Sequence, residues 1–292
     1  MGRTSRAVRR AVALVTTLAV VTLLLPGSPA AAASTFQAGH LNILNDLTHA
    51  KFLHDLNLIT SKADMVALNE VGQRRAFLVD WAADNGWTFY APTTSVHAAG
   101  EALLAKKSMF EVVDKGSKLI CDTNPDEPPP PRYNNWVKYR HKATGRYVFH
   151  INFHAVAGIE DKERPGRPVD IPRTDCATKQ FQEVKELARE KKAEGQVVVS
   201  GDLNVDFSAD KAYGYAGFPW KIFEANELPN LRSVYNLYGE KGTGTHGNRH
   251  IDYIYFWKRI ESTQVMWMTD YRIVGDTNSD HKGVVADFSL AS

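Results

Sequence analysis

Apolar runs of strand length recur along this chain, and they keep breaking off at a carboxylate, an amide or an imidazole. Residues 197–207, VVVSGDLNVDF, are the plainest case: three valines lead into Asp202 and Asn204. In an extended strand successive side chains alternate faces, so these two polar groups point the same way. The pattern repeats. Asn42 sits in HLNIL, Glu70 closes MVALNE, and His154 closes VFHINFH. Asp252 opens IDYIYF, and Asp280 and His281 precede the last apolar run. Any one of these is ordinary, because Asp and Asn favour turns after strands and a lone His is commonly a hydrogen-bonded structural residue. Six strand ends carrying these residue types are harder to dismiss, and point to function.

Helical spacing of apolar residues appears between the runs, over residues 47–61, 74–85 and 174–193. ATG at 143–145 separates two strand-like segments and predicts a hairpin. Residues 124–132, NPDEPPPPR, cannot donate along a ladder and are expected as an extended, exposed loop. No long linker divides the rest. The expectation is a single α/β (α+β) domain over residues 34–292, built of two packed mixed β-sheets with helices outside.

Residues 1–33 stand apart. Arg3, Arg6, Arg9 and Arg10 precede an apolar stretch from Ala11 to Leu25, and Ala31, Ala32 and Ala33 supply small residues for cleavage. The stretch is shorter than the ~20 residues that span a bilayer, so a cleaved signal peptide and a secreted protein are expected. The whole chain carries 35 basic and 33 acidic residues, and the leader holds four Arg and no acid. Removing it leaves 31 and 33, a net charge of −2. No global basic field draws in a polyanion, so any such binding must be local. The two cysteines, Cys121 and Cys176, fit one disulfide in an oxidising compartment.

Carboxylates, amides and histidines without zinc-type spacing suit a hard divalent cation and an anionic phosphoester. Mg²⁺ is the expected ion, with Mn²⁺ or Ca²⁺ as substitutes. Asp202 is a candidate to accept a proton from water. Asn204 would offer an amide donor, and His154 and His281 would offer charged donors. Asp252 would hold a histidine in one tautomer.

In order, LNILN, ALNEV, NFHAV, GDLNVD, RHIDYIYF and NSDHKGV resemble the motif series of the endonuclease/exonuclease/phosphatase superfamily, over roughly residues 39–288. The resemblance implies a four-layer αββα sandwich and a metal-dependent hydrolase. By position it makes Glu70 the principal metal ligand, with Asn42 and Asp280 supporting metal or metal-bound water. It makes His154, Asp202, Asn204, Asp252 and His281 the catalytic set. Asn69 stands where the family often has Gln, a position read as structural. Leu44 replaces an Asp found in some DNA repair members, which argues against an apurinic endonuclease. For the Tyr or Arg that many members place on the phosphate, Arg132, Tyr133 and Arg140 are the candidates.

The expected activity is that of a monomeric nuclease or phosphodiesterase acting on a phosphoester, with nucleic acid the leading substrate. A sphingomyelinase-type lipid enzyme is the alternative, motivated by the aromatic loop YGYAGFPW at residues 213–220. The preferred reading of that loop packs its rings on the domain. A non-catalytic binding module is disfavoured, because every acidic and histidine position of the motif series is filled.

Overall fold

The computed structural model describes residues 33–121, 130–169 and 171–292. The expected leader, apart from Ala33, and most of the proline-rich segment lie outside the described residues. Two six-stranded sheets pack face to face. The first holds β1 (Ser34–Asn42), β2 (Met65–Asn69), β3 (Trp87–Tyr90), β4 (Ala102–Lys106), β11 (Met266–Val274) and β12 (Gly283–Leu290), in the order β11-β12-β1-β2-β4-β3. The second holds β5 (Phe110–Cys121), β6 (Arg132–His141), β7 (Tyr147–His154), β8 (Gln196–Asp202), β9 (Asn230–Ser233) and β10 (Asp252–Lys258), in the order β5-β6-β7-β8-β10-β9. Both sheets are mixed. Each has one parallel pair at its centre, β1 with β2 and β7 with β8, and antiparallel pairs elsewhere.

Helices cover the outer faces because their apolar residues recur on one side. In α1 (His49–Lys62), Phe52, Leu56 and Ile59 are buried at helical spacing. With Leu78 and Trp81 of α2 (Arg75–Asp84) they pack against Leu41, Val66, Leu68 and Leu104 of the first sheet. After the short α3 (Val96–Ala99), α4 (Ile171–Lys191) covers the second sheet, burying Ala177, Phe181, Val184 and Ala188, and its last turn carries Arg189 and Lys191, which favour a helix C-terminus. The Phe181 ring meets Phe153 of β7 edge-on at 6.1 Å. A disulfide between Cys121 and Cys176, Cα atoms 5.9 Å apart, ties the end of β5 to α4.

The face between the sheets changes character along its length. Alternation places Phe36, Ala38, His40 and Asn42 of β1 on it, and Val198, Ser200 and Asp202 of β8 opposite. One end is therefore hydrocarbon and the other is polar yet still buried. Buried polar groups persist only when they find partners, and here they find them across the gap. Asn69 Nδ2 donates to Asn152 Oδ1 at 3.0 Å, and Asn152 Nδ2 donates to the carbonyls of Leu68 and Ala102 at 2.9 Å. The two parallel pairs end together at this polar edge.

Two expectations change in detail. The first strand starts at Ser34, well before HLNIL, because STFQAG pairs in register with the final strand. The third long helix covers Ile171–Lys191, slightly ahead of the expected span. The aromatic loop packs inward, in line with the preferred reading: Phe218 is fully buried with Tyr215 edge-on at 5.0 Å, and Trp220 meets Phe207 at 6.0 Å.

Candidate active site

The polar edge gathers side chains from strands of both sheets around Asp202, the last residue of β8. Gly201 makes that position possible, since a Cβ there would lie 2.2 Å from the Phe153 carbonyl oxygen on the neighbouring strand. Asp202 N donates to Asn69 Oδ1 at 3.0 Å, which pins the strand end to the opposite sheet. Its carboxylate Oδ1 accepts from Asn204 N at 2.9 Å. Its Oδ2 accepts from Asn42 Nδ2 at 3.1 Å and lies 3.5 Å from His154 Nε2 and 3.7 Å from His281 Nε2.

Asn42 Nδ2 also donates to Glu70 Oε1 at 3.0 Å, so one amide group spans two carboxylates. Its Oδ1 is buried with no hydrogen-bond partner among the described residues. Glu70 and Asn204 hold left-handed backbone, with φ of 64° and 55°. Non-glycine residues rarely adopt it, and such conformations persist only where the surroundings enforce them. Asn204 Nδ2 is thereby turned toward the Ala155 carbonyl at 3.1 Å and His154 Nε2 at 3.4 Å.

The loop before β12 brings in the last pair. Asp55, buried in α1, accepts from the backbone N–H groups of Asn278 and Ser279. Ser279 Oγ donates to the Asn42 carbonyl at 2.8 Å. So braced, the loop sets His281 Nδ1 2.8 Å from Asp252 Oδ2. Asp252 Oδ1 lies 3.1 Å from His40 Nε2, with both residues fully buried. Asp280 is exposed, its Oδ2 3.5 Å from His246 Nε2, and the His246 and His281 rings are 4.7 Å apart.

These contacts divide the charges. Burial alone would raise Asp252, but His281 and His40 outweigh it and hold the carboxyl well below its usual range. Burial would lower His281, but the Asp252 carboxylate reverses this and pushes the imidazole up to about 10. Burial, then the Asp252 charge, push Asp202 up to about 7. Burial and the Arg132 charge push His154 far below the ordinary histidine range. This corrects the expectation of a charged donor at His154: with a cation beside it and little water, the ring is held neutral.

The substrate-side candidates separate. Arg132 opens β6 beside a cleft of about 300 Å³ that Glu70, His97, Glu101 and His154 also line. Tyr133 follows it and so faces the other way, its carbonyl accepting from Gln180 Nε2 at 3.1 Å. Arg140 does not reach the cluster. It lies near the far end of β6, exposed, donating through Nε to Glu111 Oε2 at 2.9 Å. Another cleft, of about 600 Å³ along edge strand β3, is lined by none of the cluster.

Four residues absent from the sequence-based set stand here. His40 and Asn69 could have been found by alternation, since His40 is two residues before Asn42 and Asn69 is the register partner of Asn42. Glu101 and His246 carry no such signal. Burial raises the Glu101 carboxyl well above its usual range, against the Arg132 charge.

Residues 39–281 match the model of the Endonuclease/Exonuclease/phosphatase family. The chain belongs to this family. Several solved structures share the fold at low identity. An endonuclease/exonuclease/phosphatase family protein from Bacteroides thetaiotaomicron is 16% identical, with 89% of this chain and 100% of that chain covered and a TM-score of 0.64. D. rerio TDP2 complexed with single strand DNA product is 15% identical, with 87% and 99% covered and a TM-score of 0.63. A mannosyl-6-phosphatase from Bacteroides thetaiotaomicron is 17% identical, with 87% and 99% covered and a TM-score of 0.60. No curated protein matches the sequence.

Proposed function

We propose that the protein is a secreted, divalent-metal-dependent phosphodiesterase that cleaves nucleic acid by water attack on phosphorus. The observation that carries this is the meeting of Asn42, His154 and His281 on one oxygen of Asp202, at 3.1, 3.5 and 3.7 Å. That spot is fit for a water molecule with a proton to lose and a phosphoryl group with charge to share.

The residues fit a hard cation. The Glu70 carboxylate and the unpartnered, buried Asn42 Oδ1 stand together, held by the amide hydrogen bond of 3.0 Å. Oxygen donors of this kind suit Mg²⁺, and Mn²⁺ or Ca²⁺ in its place. Asp280 would assist from the far side of His281. Bound there, the ion would supply positive charge to the phosphoryl oxygens.

The chain's own groups account for the rest. His281 Nδ1–H donates to Asp252, which pushes the imidazole up to about 10, so the ring stays doubly protonated and its Nε2–H is available to a phosphoryl oxygen. Asp202 Oδ2 accepts the water proton, and the N–H of Asn204 that orders its other oxygen keeps the carboxylate in place. Asn204 Nδ2 would exchange its 3.4 Å contact with His154 Nε2 for one to the phosphate, and Arg132 adds charge from the cleft wall. Export is supported by the arginine-flanked apolar leader of residues 1–33. The nucleic-acid preference draws on the DNA product bound to D. rerio TDP2, against the sugar phosphate implied by the mannosyl-6-phosphatase.

The test is a substrate panel. Purified protein with Mg²⁺ is given plasmid DNA, RNA, sphingomyelin vesicles, bis-p-nitrophenyl phosphate and mannose 6-phosphate, each with and without EDTA. Chelator-sensitive cleavage of DNA or RNA is expected. Hydrolysis of the lipid or the monoester alone would overturn the nuclease assignment. No chelator-sensitive hydrolysis at all would leave a binding module.

A further inference from the structure

The Asp252 carboxylate is held at both oxygens, by histidines from different parts of the chain. His281 Nδ1 meets Oδ2 at 2.8 Å, and His40 Nε2 meets Oδ1 at 3.1 Å. The His40 contact crosses from one sheet to the other and joins residues 212 apart in sequence. Both His40 and Asp252 are fully buried, so no water replaces either partner.

We infer that His40 is a positioning residue for the proposed hydrolysis, fixing Asp252 so that Asp252 in turn fixes His281. The inference rests on the function proposed above. A carboxylate can rotate about its Cβ–Cγ bond and exchange its oxygens. Here the backbone of Asp252 is already anchored: its N–H donates to Thr245 Oγ1 at 3.1 Å and its carbonyl accepts from Tyr235 Oη at 2.6 Å. The one remaining freedom is the side-chain rotation, and the His40 N–H removes it by claiming Oδ1. Oδ2 is then left in the direction of His281. Without that donor, Oδ1 would be a buried carboxylate oxygen with no partner, and the group would turn to recover one. Turning it tilts the imidazole that faces the substrate.

The surroundings leave His40 no other role of this kind. Its Nδ1 has no hydrogen-bond partner among the described residues. The nearby His150 ring bonds Ser200 Oγ at 2.8 Å, and burial pushes it down to about 3, so it brings no charge. Partners that orient a functional histidine from behind are commonly worth 10–100-fold in activity.

His40→Leu removes the donor and keeps the volume, whereas His40→Gln carries an amide N–H with reach similar to Nε2. The two variants are compared on the substrate cleaved in the panel, for kcat and KM separately. In parallel, ¹⁵N-histidine NMR follows the His281 Nδ1 proton, assigned by its loss in His281→Asn. His40→Leu is expected to lower kcat about 10–100-fold with KM within twofold, and to speed exchange of that proton. His40→Gln is expected to restore both to within a few-fold of wild type. If His40→Leu does not fold, His40→Asn, one methylene too short to reach Asp252, takes its place. An unchanged proton signal in the Leu or Asn variant, or equal losses in Gln and Leu, would overturn the inference. Wild-type protein inactive on every substrate, with the NMR result as expected, would remove the proposed function and leave the positioning contact standing.

Discussion

Asp202 and Asp252 face each other in register across the antiparallel strands β8 and β10. Like charges directly opposite one another on a sheet repel. Two histidines settle the conflict on one side by holding Asp252 well below its usual range, while burial and the Asp252 charge push Asp202 up to about 7. Environments that drive two titratable groups apart assign them different work. In the proposed reaction Asp252 is the permanent anion that orients His281, and Asp202 the group that can take up a proton.

Removing either end of this arrangement should stop the chemistry without unfolding the chain. His281→Ala and Asp202→Asn are each expected to lose about 10²–10⁴-fold in kcat/KM, the range of general acid–base contributions. Initial rates measured beside circular dichroism would check it. A variant that stays folded and keeps near wild-type rate would disprove the assignment of that residue.

The left-handed backbone of Asn204 separates conformation from chemistry. Asn204→Gly and Asn204→Ala both delete the amide donor, but only glycine adopts a φ of 55° without steric cost. Both should slow the reaction by a similar factor. The alanine variant should be less stable than the glycine variant by about 1 kcal/mol. Urea unfolding of the pair reads the difference directly.

The disulfide closes a span of 55 residues between β5 and α4. The chain-entropy model gives about 4 kcal/mol for a loop of that size. Cys121→Ser with Cys176→Ser should lower the denaturant midpoint accordingly, and reductant should do so in the wild type. A midpoint indifferent to reductant would show that the bond contributes nothing to folding.

Stability should also depend on pH through Asp210, which lies away from the cluster. Burial pushes this carboxyl up to about 8, although Trp220 N donates to it at 2.7 Å. An unfolded aspartate titrates near 3.9. Between those values the folded state binds a proton that the unfolded state has released. The contribution of Asp210 is therefore complete below about pH 4 and is lost as pH rises through about 8. Asp210→Asn should gain on wild type across that window and level off above it, as denaturant unfolding at several pH values would show.

Much of the site could be read from the sequence because strands declare their ends. Asn42, Glu70, His154, Asp202 and Asn204 follow apolar runs, and Asp252 and His281 precede them, so periodicity alone marks them. What stayed hidden depends on pairing between distant segments. His40 gains its meaning only from Asp252 in the other sheet. Asn69 looked structural, and it does brace the site, through the Asp202 N–H. Arg140 had the right chemistry and the wrong end of its strand, since β6 runs ten residues from Arg132 and carries it far from the cluster. Charge state was hidden too: His154 has the same side chain as His281, but burial with the neighbouring Arg132 pushes one ring down and Asp252 lifts the other.

The polar edge between the sheets would make the proposed activity depend on both layers being in place. Asn42 and Asn69 close one parallel pair, His154 and Asp202 the other. Neither sheet formed alone supplies all of the groups around Asp202. A slip of one residue in either pair would turn its functional groups outward. Turnover, in the proposed reaction, would therefore report that both registers are right and both layers are docked, a gauge of complete assembly built into the site.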